Sequence, residues 1–222
     1  MEPVTTSLRE RVYPVLGRLR RRVERWTTDL KRGIRTRGVE RWGDTSMQGE
    51  ARPYEPVSSR LFETMAPLLP VNPAEYAFID LGAGKGAAVV FAAEHGFRRS
   101  IGVELSEELF AIADRNKRRL LERRPAIGTR MELLNLDAQD YEFPDEPTVV
   151  YMYNSFGPAT LSTVLRNIDA SLAKAPRPLY LLYVNPVLEA VVNEFPGFRL
   201  HHRDRRFLIY GHATAGPDTG PD

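Results

Sequence analysis

The chain contains no cysteine, which excludes disulfides, thiolate metal sites and a cysteine nucleophile. Histidine is scarce, with four in 222 residues, so few side chains are available for proton transfer near neutral pH. No apolar run approaches the roughly 20 residues that a membrane-spanning helix needs, and the N-terminus lacks the continuous apolar core of a signal peptide. A cytoplasmic protein is the expectation. The net charge is only +2, with 27% charged and 42% hydrophobic residues, an ordinary globular composition at a length that suits one α/β domain with an extension.

The small net charge hides an asymmetry. Residues 1–60 carry 14 Lys and Arg against 8 Asp and Glu, a net +6, and the remainder carries 17 against 21, a net −4. Basic character is confined to the N-terminal arm, so no specific nucleic-acid partner is expected. Within the arm, Leu8, Val12, Val15, Leu16, Leu19, Val23, Trp26 and Leu30 recur at helical spacing, with Arg9, Arg11, Arg18, Arg20, Arg21, Arg22 and Arg25 between them. Such a basic amphipathic helix either packs its stripe on the domain or docks on an anionic membrane surface or acidic partner. Residues 33–57, rich in Gly, Thr, Ser and Pro, read as a connecting segment. Residues 1–57 therefore form the arm, 58–211 the core domain and 212–222 a Gly/Pro-rich disordered tail.

Ser58 or Ser59 can cap a helix bearing Leu61, Phe62, Met65 and Leu68, and after Pro73 the chain alternates regularly. Strand-like runs cover Tyr76–Leu81, Ser100–Glu104, Arg130–Asn135, Thr148–Tyr153, Leu179–Val184, Arg199–His202 and Arg206–Tyr210. Helix-like runs cover Ala87–His95, Glu107–Glu122, Ala159–Ala173 and Val187–Glu194. The alternation predicts a seven-stranded, mostly parallel sheet with helices on both faces. The last two runs are too close for a crossover and predict an antiparallel hairpin at the sheet's edge.

The first strand ends in "FIDLGAGKG". A phosphate-binding P-loop is excluded, because Ile79 stands where its first glycine belongs and Gly86 where its Ser or Thr belongs. Gly82, Gly84 and Ala87 formally satisfy the dinucleotide fingerprint, but Asp80 would repel a pyrophosphate at that turn. A carboxylate there suits a ligand with positive charge and no phosphate, such as S-adenosylmethionine (SAM). Gly86 lets the backbone approach such a ligand closely. Glu104, ending the second strand, can accept hydrogen bonds from both ribose hydroxyls, or merely cap the following helix. Asp137, after the third strand, can take an adenine amino group, or form a local turn.

The ordered set "DLGAGKG", "GVE" and "DA" resembles the seven-strand, Rossmann-like class I SAM-dependent methyltransferases, over about residues 74–211. More narrowly, "YEPVSSRLFE", "YNSFGPATLSTVLRNIDASL" and "RPLYLLYVNP" are similar to a group of small bacterial methyltransferases defined by sequence, with a fainter likeness to the non-SET histone-lysine methyltransferases. The resemblance implies SAM as cofactor, S-adenosylhomocysteine (SAH) as product, and a lid role for Tyr54 with Glu55; no metal is expected, because no metal-ligand spacing appears in the sequence.

In an open α/β sheet the ligand lies beyond the carboxyl ends of the strands, where their order reverses. Asn154, Ser155 and Phe156 leave the fourth strand there. The Asn154 amide oxygen can accept an amine N–H and aim the lone pair, and Phe156 can wall the acceptor. Many amine and amide methyltransferases carry Asn/Asp-Pro-Pro-Tyr/Phe at this place, and this chain lacks both prolines. Asn185, ending the fifth strand, should reach the cleft's rim or serve as a pre-proline turn residue. None of the histidines falls in a cluster suited to a general base, so the reading favours nitrogen over oxygen as the methyl acceptor. A non-catalytic SAM- or nucleoside-binding protein is the alternative of a different class, followed by an NAD-dependent oxidoreductase.

Overall fold

The computed structural model describes residues 29–36 and 56–213. Seven strands form one sheet: β1 (Ala77–Leu81), β2 (Arg99–Glu104), β3 (Met131–Asn135), β4 (Thr148–Tyr153), β5 (Leu179–Val184), β6 (Phe198–Arg203) and β7 (Phe207–His212). Their order is β3-β2-β1-β4-β5-β7-β6. The first five are mutually parallel, and β7 runs antiparallel to both its neighbours. This is the predicted Rossmann-like α/β sheet with its antiparallel C-terminal hairpin. The hairpin is turned so that β6, not the last strand, is the outer edge.

Sequence composition accounts for the layering. The β1 run AFIDL is buried at every position, as expected for a central strand covered on both faces. The edge strands β3 and β6 instead expose polar positions. A register shift between Leu200 and His202 bends β6 away from regular pairing, a common device at sheet edges.

Two cores flank the sheet. One gathers α1 (Ser59–Met65), α2 (Ala87–His95) and Leu120 of α3 (Glu107–Arg123) against Phe78, Val149, Tyr151 and Leu182. The other gathers α5 (Pro158–Lys174) and Val192 of α6 (Glu189–Asn193) against Ile79, Leu81, Ile101 and Val150. A short helix α4 (Pro125–Gly128) follows α3. Between β3 and β4 there is no full helix, only the 3-10 turn Ala138–Asp140.

Local signals explain the boundaries. Ser58 caps α1 by accepting from the Leu61 N–H at 3.2 Å. Ser106 does the same for Leu109 at 3.3 Å, with Glu107 and Glu108 in the first turn of α3. Pro158 opens α5 at a position where a missing N–H costs nothing. The α6 run is shorter than its sequence pattern: Val187, expected inside it, is exposed and precedes the helix. The strand β7 runs to His212, one residue past the expected domain limit, and the His212 ring is held there by Asp169 at 2.9 Å.

Of the arm, the apolar stripe from Leu8 to Trp26 lies outside the described residues, as does the tail from 214 onward. Leu30, the last member of the stripe, is 69% exposed. Residues 29–32 are helical, and Ile34 is buried in the core beside α1 and α2. That segment, assigned by sequence to the arm and connector, therefore packs on the core domain.

Candidate functional site

The strand order reverses between β1 and β4, which are paired through Asp80 and Tyr151. The glycine turn leaves β1 at this point. Gly82, Gly84 and Gly86 all have left-handed backbones, with φ of 83°, 55° and 81°, a conformation that side-chain-bearing residues resist. The turn folds back on β2: the Gly82 and Ala83 N–H groups donate to the Val103 carbonyl at 2.9 and 3.0 Å. Gly86 then caps α2, and the next seven residues of that helix, Ala87–Ala93, are buried.

Two carboxylates sit beneath this turn. Asp80 is 3% exposed, and its acidity is weakened, its pKa well above the usual carboxylate range, first by burial and then by the neighbouring Glu104. Glu104 is also buried. Its Oε2 accepts from the Gly84 N–H at 2.7 Å and its Oε1 from the Ser106 N–H at 2.8 Å. Burial raises its pKa and those backbone donors oppose the rise. Glu104 therefore satisfies an amide at the start of α3, the capping role weighed from sequence, and also fixes the glycine turn, which the sequence reading did not foresee. Each of its oxygens keeps lone-pair capacity for a further donor. Two buried carboxyls that resist ionisation together are stabilised by a cationic ligand and penalised by a phosphate. The donor set thus fits SAM, and Asp80, Gly82, Gly84, Gly86 and Glu104 are the residues that would hold it.

Asp137 stands after β3 as expected, but already has local partners. It caps the 3-10 turn, accepting from the Gln139 N–H at 2.9 Å and the Gln139 side-chain amide at 3.3 Å. Tyr54 lies outside the described residues.

The opposite wall is the segment after β4. Asn154 has φ of 45° and, among the described residues, shares left-handed backbone geometry with only one other non-glycine, Asn185 at φ 50°. The two follow the paired ends Tyr153 and Val184 of adjacent parallel strands. Asn154 Oδ1 is buried and has no hydrogen-bond partner. The Ser155 side chain lies over the glycine turn, so close that a Cβ on Gly82 would come within 2.6 Å of its Oγ. The sequence-predicted Gly82 and Ser155 are therefore brought together. Phe156 is half-buried and packs against the α5-side core. Asn185 is exposed, its N–H donating to the Arg206 carbonyl at 2.7 Å.

Histidines stand away from this rim. His95 ends α2 at the far end of the sheet, and His212 ends β7 beside Gly197, also far from Asn154. His201 and His202 lie within β6. Among the described residues no three His, Asp or Glu side chains form a group that could hold a metal ion, and no helix is long and apolar enough to cross a membrane.

One residue that sequence reasoning missed is Asn116. It is buried in α3 and its side-chain amide donates to the Lys85 carbonyl in the glycine turn at 3.0 Å. The signal was present: Leu109, Ala113, Asn116 and Leu120 form the buried stripe of α3, and a polar residue inside an apolar stripe needs a reason.

Comparison with known proteins agrees with this geometry. The profile of the family described as "Histone methylation protein DOT1" matches residues 51–154, just under half of the chain, ending at Asn154. No curated protein matches the chain in sequence. Among solved structures, TrmN from Thermus thermophilus superposes with a TM-score of 0.52 at 18% identity, covering 70% of this chain and 49% of that one. A predicted N6-adenine-specific DNA methylase from Listeria monocytogenes gives 0.51 at 17%, covering 75% and 52%. SMU.472, solved in complex with SAH, gives 0.50 at 13%, covering 74% and 54%. The chain thus spans about half the length of these three proteins. The fold is that of the class I, Rossmann-like SAM-dependent methyltransferases.

Proposed function

We propose that the chain is a SAM-dependent methyltransferase that methylates nitrogen, in an amine or a protein lysine. The observation that carries this reading is the Asn154 carbonyl oxygen, buried without a donor at the switch point. Leaving a buried acceptor unpaired costs about 1–3 kcal/mol, and holding a residue in a sparsely populated backbone region adds to that cost. Such a group is satisfied by a donor that arrives with the substrate. An amine N–H is that donor.

Bound SAM would supply the methyl group, already activated by its sulfonium. The work of the chain is to hold and align. Asp80 and Glu104 compensate positive charge beneath the glycine turn. Ser155 closes the turn against the β4 segment. Asn154 Oδ1 accepts one acceptor N–H and so aims the nitrogen lone pair along the axis of displacement, where alignment matters most. A lysine nitrogen must be neutral to attack, and its ordinary pKa is near 10.4. Entry into a cleft away from water lowers that value, and the proton leaves to solvent before transfer. The match to a histone methylation family over residues 51–154 supports a protein lysine over a free amine.

Incubation with methyl-labelled SAM and fractionated cell extract tests the proposal. Label is expected in protein, on nitrogen and stable to alkali. Alkali-labile label would move the acceptor to oxygen. SAM binding with no transfer to any fraction would make the chain a non-catalytic binder.

A further inference from the structure

The glycine turn is held from two directions, and the second reaches into the N-terminal segment. Glu104 pins the Gly84 N–H from β2. The next peptide unit, Lys85–Gly86, runs into the left-handed Gly86. Its N–H donates to the Ala83 carbonyl at 2.8 Å. Its carbonyl is fixed by the Asn116 side chain. The same amide grips the backbone of Arg35 at both polar atoms: Asn116 Oδ1 accepts the Arg35 N–H at 2.8 Å, and Nδ2 donates to the Arg35 carbonyl at 3.0 Å.

The segment that Asn116 grips is itself built to sit there. Gly33 turns the chain in a left-handed conformation against the Arg123 side chain, where a Cβ would come within 2.1 Å of Nη1. Ile34 drops into the core. Asp29 accepts both the Thr36 N–H and its hydroxyl, at 2.9 and 2.7 Å. Arg32 pairs with Glu94 at 2.6 Å and lies over the Phe91 ring at 5.0 Å, on the helix that the glycine turn begins.

We infer that Asn116 is a positioning residue that couples residues 34–36 to the cofactor turn, so that docking of this segment and binding of the cofactor strengthen each other. The inference rests on the SAM reading of the turn only in its second half. The mechanical coupling exists without ligand. With ligand, reciprocity requires that whatever orders the turn also orders the segment.

Amide hydrogen exchange on the full chain separates the two halves. Without ligand, Ile34→Ala, which removes the segment's apolar anchor in the core, should speed exchange at the Gly84 and Gly86 amides, and Asn116→Ala should speed exchange at both the turn and at Arg35 and Thr36. SAH added to the wild type should slow exchange at Arg35 and Thr36 several-fold. In Asn116→Ala that long-range protection should vanish, with SAH affinity down about tenfold. Turn amides indifferent to Ile34→Ala in a folded protein would overturn the coupling. So would wild-type SAH affinity in Asn116→Ala. Ligand-free coupling as expected, with no SAH effect anywhere, would overturn the SAM reading and leave the tether standing. Should Asn116→Ala fail to fold, Ile34→Ala and the wild-type SAH arm still decide the matter.

Discussion

The two walls of the cleft are built to different rules. On the β1–β2–β3 side nearly every polar group near the rim has a partner. Glu104 holds two backbone amides, Asp137 caps its own turn, Asn135 donates to the Glu104 and Leu105 carbonyls at 2.8 and 3.0 Å, and Asn116 makes three hydrogen bonds. On the β4–β5 side two asparagines stand in left-handed backbone, one with a buried oxygen lacking any donor, and Val187 beside the other is 60% exposed. The backbone of the first wall is fixed before any ligand arrives, and the Asp80 carboxyl is left for the ligand to meet. The second is finished by what binds to it. Preorganisation on the first side lowers the ordering cost of binding the cofactor, and incompleteness on the second is where an acceptor gains specificity.

Breaking the finished wall should have the largest effect. Gly84→Val places a β-branched residue at φ 55° and disturbs the N–H that Glu104 accepts. We expect a folded protein with no measurable SAM binding by calorimetry. Breaking the unfinished wall should leave binding alone. Asn154→Ala should cut turnover about 100-fold, the scale of a misaligned acceptor, with SAM affinity unchanged. A parallel fall in affinity would place Asn154 on the cofactor side and erase the contrast.

Smaller effects sharpen the comparison. Glu104→Ala removes hydrogen bonds to a charged group and should weaken SAM binding by roughly 1–3 kcal/mol, measured against an unchanged acceptor KM. Proton linkage gives the smallest signal. Asp80 and Glu104 have pKa values raised in the folded state, so between the ordinary carboxylate value and the raised one the native state binds more protons than the unfolded state. Stability should therefore fall as pH rises through that window and level off above it. A cationic ligand favours the ionised carboxylates, so SAM binding should release protons there and tighten several-fold with rising pH. Glu104→Gln, which removes the like charge beside Asp80, should flatten that dependence.

Much of the first wall was legible in the sequence, because its signals are local. The alternation of strands and helices fixes where β1 and β2 end, and the carboxylates and glycines at those ends are read directly. The Ser58 cap, the α2 limits and the hairpin follow from short-range rules. What was missed depends on distance. Asn116 is 31 residues from Lys85 and 81 from Arg35, and nothing in the local pattern names its partners. Asp137 showed the converse: its capping role is local and visible, and it competes with the adenine contact expected from its place after the third strand. The order of β6 and β7 could not be read from their adjacency, since a hairpin can dock by either strand.

The most direct test of the account is calorimetric titration of the full chain with SAM, SAH and NAD at two pH values and in buffers of differing ionisation enthalpy. The account predicts binding of SAM and SAH, no binding of NAD, and proton release on SAM binding that diminishes at the higher pH. Tight NAD binding without SAM binding would contradict it.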